Sequence, residues 1–172
     1  MIQIFCSQKF AKLLELPSKK NSSINTEESL QAWNAHLFSA DRRKCLIFVH
    51  KTTLYTFILL DILKKDLKDL PSLFIEGFIN QLKTDQLIKD NHELILRKHY
   101  DSITLKNTDN DKKVLGSIND YVYQTKFMIE INGGIHNCDA NDIGQRLNDT
   151  PMGAIKYGFP IDRMREEIEN LK

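Results

Sequence analysis

The chain predicts an α+β fold, with a mainly antiparallel sheet built on an N-terminal meander and packed by helices from the C-terminal half. Three observations carry that expectation. Apolar residues alternate with polar ones at period two in short runs between Ile2 and Leu60, the signature of strands. The links between the central runs are only a few residues long, which favours antiparallel neighbours. From Val114 onward the apolar residues recur every three or four positions instead, as on helices.

In order along the chain, Ile2, Ile4 and Cys6 fall on one side of a first strand and Gln3, Phe5 and Ser7 on the other. Phe10, Leu13 and Leu14 then repeat at helical spacing, and the polar run Ser18 to Glu28 reads as an exposed loop. Trp33 to Lys51 is a hairpin. A two- or four-residue turn around Asp41 and Arg42 sets Leu37 opposite Leu46, Ala35 opposite Phe48 and His36 opposite Ile47. Its second strand is apolar on both faces, Cys45, Ile47 and Val49 on one and Leu46 and Phe48 on the other, which places it centrally with cover on both sides. Thr53 to Leu60 forms a further strand.

Asp69 and Pro71 open a helix whose inward face is Leu70, Phe74, Phe78 and Leu82. A second helical pattern covers roughly Gln86 to Lys98, and Ile103 and Leu105 mark a last short strand. A long helix beyond Asp111 presents Val114, Ile118, Tyr121, Val122, Thr125 and Met128, and Gly133-Gly134 stops it. Asp139 caps a short helix through Ile143 and Leu147. Pro160 opens the final one, with Ile161, Met164, Ile168 and Leu171 inward. No internal repeat or linker divides residues 1–172, which read as one domain.

Composition bounds the function. At 172 residues, 41% hydrophobic and 27% charged, the chain has the balance of an ordinary globular protein. A net charge of +1 argues against a general nucleic-acid coat protein, yet leaves room for a local basic patch. Cys6, Cys45 and Cys138 are unclustered, so neither a disulfide framework nor structural zinc is expected. The first residues have no signal-peptide pattern, and the most apolar window, Leu54 to Leu63, is far short of the ~20 residues that span a bilayer. A cytoplasmic protein with no membrane contact is the expectation.

Four blocks resemble an uncharacterised family of small, single-domain bacterial proteins of unknown function. They are Trp33-x-Ala35-x-Leu37, Asp41-Arg42-Arg43-Lys44-Cys45 with Phe48, Leu115-Gly116-Ser117-Ile118-Asn119-Asp120, and Leu147-Asn148-x-Thr150-Pro151-Met152-Gly153. The resemblance runs from Met1 to Pro160, with His36 where Asn is expected and Ile118 where Met is expected. It implies a shared domain and no reaction.

Two segments are candidates for ligand contact. Arg42, Arg43 and Lys44 crowd the hairpin turn, and guanidinium groups hold phosphate or carboxylate bidentately. Asn107, Ser117, Asn119 and Asp120 belong to a polar loop feeding a helix, whose free backbone N–H groups suit an anion. That segment contains neither a P-loop nor a dinucleotide fingerprint, and it lacks the Gly and closing Glu of a calcium loop. The five histidines show no recognised metal spacing, so no metal site is expected. Cys45 has basic neighbours but a strand position that predicts burial, and Trp33 reads as a core anchor rather than a stacking platform.

The leading expectation is therefore a non-catalytic binding module that engages an anionic protein or nucleic acid through Arg42, Arg43 and Lys44. The alternative is an enzyme acting on a phosphorylated or nucleotide substrate. There Arg42 and Arg43 would clamp phosphate while Asp109, Asp111, Asn119 or Asp120 held a divalent ion or acted as base. That reading requires the two segments to converge. A third reading, a regulatory partner, requires an exposed apolar face, sought on the last helix. The residues name no cofactor and fix no oligomeric state.

Overall fold

A computed structural model describes residues 1–18, 29–100 and 102–171. Most of the expected Ser18–Glu28 loop lies outside the described residues. Among the described residues five strands form one sheet: β1 (Ile2–Cys6), β2 (Ala32–Ala40), β3 (Arg43–His50), β4 (Thr56–Leu59) and β5 (Ile103–Asn107), in spatial order β4-β3-β2-β1-β5. The meander β2-β3-β4 is antiparallel, and its hairpin register is the expected one, with Leu37 opposite Leu46, Ala35 opposite Phe48 and His36 opposite Ile47.

The sheet as a whole is mixed rather than mainly antiparallel, because β1 runs parallel to both β2 and β5. Strand alternation records which face a residue takes and is blind to strand direction. Direction here is set by long connections: β1 reaches β2 through a helix and more, and β5 arrives after two further helices, which a parallel crossover needs.

Six helices flank the sheet among the described residues: α1 (Gln8–Leu13), α2 (Leu70–Thr84), α3 (Asp90–His99), α4 (Lys112–Ile131), α5 (Ala140–Asn148) and α6 (Pro160–Glu169). Cover on one face comes partly from the first half of the chain, since α1 and α2 pack there with α3 and α6. Trp33 is the hub of that core, with ring centroids 5.0 to 5.7 Å from His50, Phe57, Phe74 and Phe78. Gly77 lets α2 lie close on β4, since a Cβ there would sit 2.8 Å from the Phe57 ring. The opposite face carries α4 and α5 over Cys45, Ile47, Val49 and Ile58. β3 thus supplies both cores, as its two apolar faces require.

Local signals explain the boundaries. Asp69 caps α2 by accepting the Ser72 N–H at 3.2 Å, and Asp111 caps α4 by accepting from Lys113 and Val114. Gly133 (φ 84°) and Gly134 (φ 126°) end α4 in conformations that favour glycine. β4 starts three residues later than its composition predicts, because Thr53 to Tyr55 are spent on the turn: the Leu54 N–H bonds the His50 carbonyl, and Leu54 has φ 59°. α3 starts four residues later than its pattern, after Gln86 turns left-handed at φ 56°. Among the described residues no helix is long and apolar enough to cross a membrane.

Candidate functional site

The hairpin tip is a two-residue turn. Asp41 (φ 50°) and Arg42 (φ 60°) are both left-handed, the pairing that matches the twist of the flanking strands. Asp41, Arg42, Arg43 and Lys44 are all exposed. The tip is nonetheless anchored. The Asp41 carboxylate accepts the Ile135 N–H at 3.0 Å, which docks the turn on the end of α4, and a Cβ on Gly134 would crowd that carboxylate at 3.0 Å. Arg43 pairs with Asp61 at 3.5 Å, and the Lys44 carbonyl accepts the Ile62 N–H at 2.9 Å. Arg42 and Lys44 have no ion-pair partner among the described residues. A cleft of about 450 Å³ opens beside the tip, lined by Ser39, Asp41, Lys126, Glu130, Gly133 and Gly134.

The second candidate segment lies at the other end of α4. Asn107 closes β5 and donates its side-chain amide to the Pro17 carbonyl at 2.9 Å. Ser117 is buried and its hydroxyl donates to the Lys113 carbonyl, while Asn119 and Asp120 are exposed on the helix. Lys51 binds Asp109, lies 3.9 Å from Asp111, and rests over the Phe5 ring at 4.6 Å. These contacts tie the β5–α4 loop to the far end of β3. Asp120, the candidate of this segment nearest to the tip along the chain, lies eleven residues before the end of α4, about 17 Å along its axis at 1.5 Å per residue, and Asn107 lies beyond the start of the helix. Arg42, Arg43 and Lys44 are therefore not brought together with Asn107, Ser117, Asn119 and Asp120. The convergence that the phosphate-clamping enzyme requires is not formed.

Other reactive types are occupied in the fold. Cys45 is fully buried, and burial raises its thiol pKa. His36, half-buried, is pushed below its ordinary pKa by burial and by Lys9 and Lys126. His50 is buried, and its Nδ1 accepts the Thr53 N–H at 3.3 Å, which puts the ring proton of the neutral imidazole on Nε2. Trp33 has no exposed surface, and Met164 and Ile168 of α6 are in the core, so the last helix offers no apolar face of the kind a regulatory partner would need. Among the described residues no group of three or more His, Cys, Asp or Glu side chains could hold a metal ion.

One cluster escapes sequence reasoning. Asp85, 5% exposed, accepts from the Tyr55 hydroxyl at 2.5 Å, from Asn148 at 3.0 Å and from Gln81 at 3.2 Å. The Asn148 amide also pairs with Thr56, accepting its N–H at 2.8 Å and donating to its carbonyl at 2.9 Å. The cluster joins α2, β4 and α5. Its only sequence signal is Asn148 within the block before Thr150-Pro151, which reads there as a turn.

The fold and the tip define an α+β protein built on a mixed five-stranded sheet that presents an anchored cationic hairpin. The family model for a domain of unknown function, DUF6933, matches residues 3–163, and the chain belongs to that family. No curated protein and no solved structure matches it.

Proposed function

We propose that the protein is a non-catalytic binding module that engages an anionic partner, a protein surface or a nucleic acid, through Arg42, Arg43 and Lys44. The observation that carries this reading is the combination of exposure and anchoring at the tip. Arg42 and Lys44 stand without ion-pair partners on a turn fixed by the Asp41–Ile135 bond. With the backbone of the turn already held, only the side chains are ordered when they meet an anion, so more of the interaction appears as affinity. The adjoining cleft holds Lys126 together with the carboxylates of Asp41 and Glu130, so the cationic surface is the tip itself. Asp61 offsets Arg43 alone.

The test uses two fluorescein-labelled polyanions, a single-stranded oligonucleotide and a poly-Glu peptide, followed by anisotropy at rising salt. Wild type binds one of them, with an affinity that falls linearly in log salt as counterions are released. The double variant Arg42→Glu/Lys44→Glu binds at least about tenfold more weakly, a loss of about 1.4 kcal/mol. Unchanged affinity in the variant, or no binding of either polyanion, removes the proposal.

A further inference from the structure

β4 is an edge strand, and the pairing of the meander fixes where its backbone points. The two-residue turn makes Ala40 and Arg43 a hydrogen-bonded pair, so alternate residues of β3 from Arg43 face β2 and those between them face β4. His50 and Lys44 confirm the phase, bonding Tyr55 and Ile62 respectively. Phe57 and Leu59 therefore bond β3, while Thr56 and Ile58 present their N–H and C=O groups outward from the free edge. Thr56 is satisfied by the Asn148 side chain, whose amide takes the place of a neighbouring strand. Ile58 has no such partner, nor does the Leu60 backbone just beyond it, among the described residues. Ile58 is only 3% exposed, and an unpaired backbone group at a buried position is costly.

This unpaired edge forms the floor of a cleft of about 370 Å³. One wall is α2, through Leu73, Gly77 and Asn80. The other is the turn before α5 and its first residues, including His136 and Asn141. Asn148 closes the cleft at the Thr56 end. The opposite end runs out at Asp61 and Ile62, which are bonded to Arg43 and Lys44 at the root of the cationic tip.

We propose that the free edge of β4 is a strand-addition site for an extended segment of a partner protein, with an acidic residue at the end beside the hairpin tip. Backbone N–H and C=O groups at strand spacing are satisfied together by another extended backbone, which is how peptides add to sheet edges. The walls admit side chains of one parity into the cleft. Charge sets the acidic end: of the carboxylates lining the cleft, Asp61 is matched by Arg43 and Asp66 accepts the Leu63 N–H, while two cations on the adjoining tip, Arg42 and Lys44, stand without ion-pair partners. The acidic end rests on the anionic-partner reading; the backbone pairing does not.

The test uses the full chain, ¹⁵N-labelled, and three acetylated peptides of alternating Val and Thr. One ends in Glu, one is its counterpart N-methylated at alternate amides, and one carries Lys in place of Glu. The Glu peptide is expected to bind and to slow amide exchange at Ile58 at least about tenfold. N-methylation and the Lys exchange should each weaken binding by about tenfold or more, near 1.4 kcal/mol. Asn80→Trp, an exposed change on the cleft wall, should abolish the protection at Ile58. Exchange at Ile58 that saturating peptide leaves unchanged, or no binding of any peptide, overturns strand addition. If the Glu and N-methylated peptides bind alike and Arg42→Glu/Lys44→Glu weakens both, strand addition fails and the anionic reading of the tip stands. If the Glu and Lys peptides bind alike and both protect Ile58, strand addition stands and the anionic reading fails.

Discussion

Asp85 shows how a single buried charge is tolerated. Burial holds its pKa above the ordinary 3.8, and the hydrogen bonds from Tyr55, Asn148 and Gln81 pull the other way without cancelling that shift. A carboxyl group whose pKa is higher in the folded state binds more protons folded than unfolded, so its contribution to stability falls as pH rises from near 3.8 through its folded value. Glu76 and Glu93, which salt bridges hold below their ordinary range, act in the opposite sense, so the effect of Asp85 is isolated by difference. The unfolding free energy of wild type minus that of Asp85→Asn, measured in urea across pH, should decline from about pH 4 toward neutrality. A flat or rising difference would show that Asp85 does not carry the raised pKa. None of this was legible in the sequence. The partners of Asp85 lie 30, 4 and 63 positions away, and only packing brings them together.

At the scale of elements, the hairpin was the most legible part of the chain. Its alternation marks the two strands, and since β3 is apolar on both faces it is the short turn that fixes the register. Helix starts were legible where a side chain caps them, at Asp69, Asp111 and Asp139. Pro160 marks the start of α6 without a cap, whereas the start of α3, whose N-cap is Lys89 rather than a Ser, Thr, Asp or Asn, has no such mark in the sequence. Strand direction and the separation of the two polar segments were not legible, because both depend on where long connections return. The turn carries a further consequence. Arg42 holds φ 60° without being glycine, a conformation that favours glycine. Arg42→Gly should therefore stabilise the fold by about 0.5–1 kcal/mol while weakening polyanion binding, read by denaturation and anisotropy on the same sample. A variant no more stable than wild type would mean that the Arg42 side chain makes compensating contacts. A more stable variant with full affinity would remove Arg42 from the binding surface.

The whole molecule is a sheet with two cores, and β3 belongs to both: Leu46 and Phe48 face the aromatic cluster around Trp33, and Cys45, Ile47 and Val49 face α4 and α5. Neither layer can leave without uncovering the same strand, so the two are expected to unfold together. The cysteines report this site by site. Cys6 lies in the first core and Cys45 in the second, both fully buried, while Cys138 is partly exposed. Burial pushes the Cys6 thiol up to about 12 and raises that of Cys45, so neither provides thiolate until its layer opens. Pulsed alkylation at increasing guanidinium concentration, read by peptide mass spectrometry, should find Cys138 labelled without denaturant. Cys6 and Cys45 should then become reactive together, at the midpoint where Trp33 fluorescence changes. Labelling of Cys45 at a clearly lower concentration would show that α4 and α5 detach first. The anchored tip would then be the weaker part of the fold, because Asp41 is held by the Ile135 N–H just beyond α4, and the rigidity that supports its binding role would be lost with that layer.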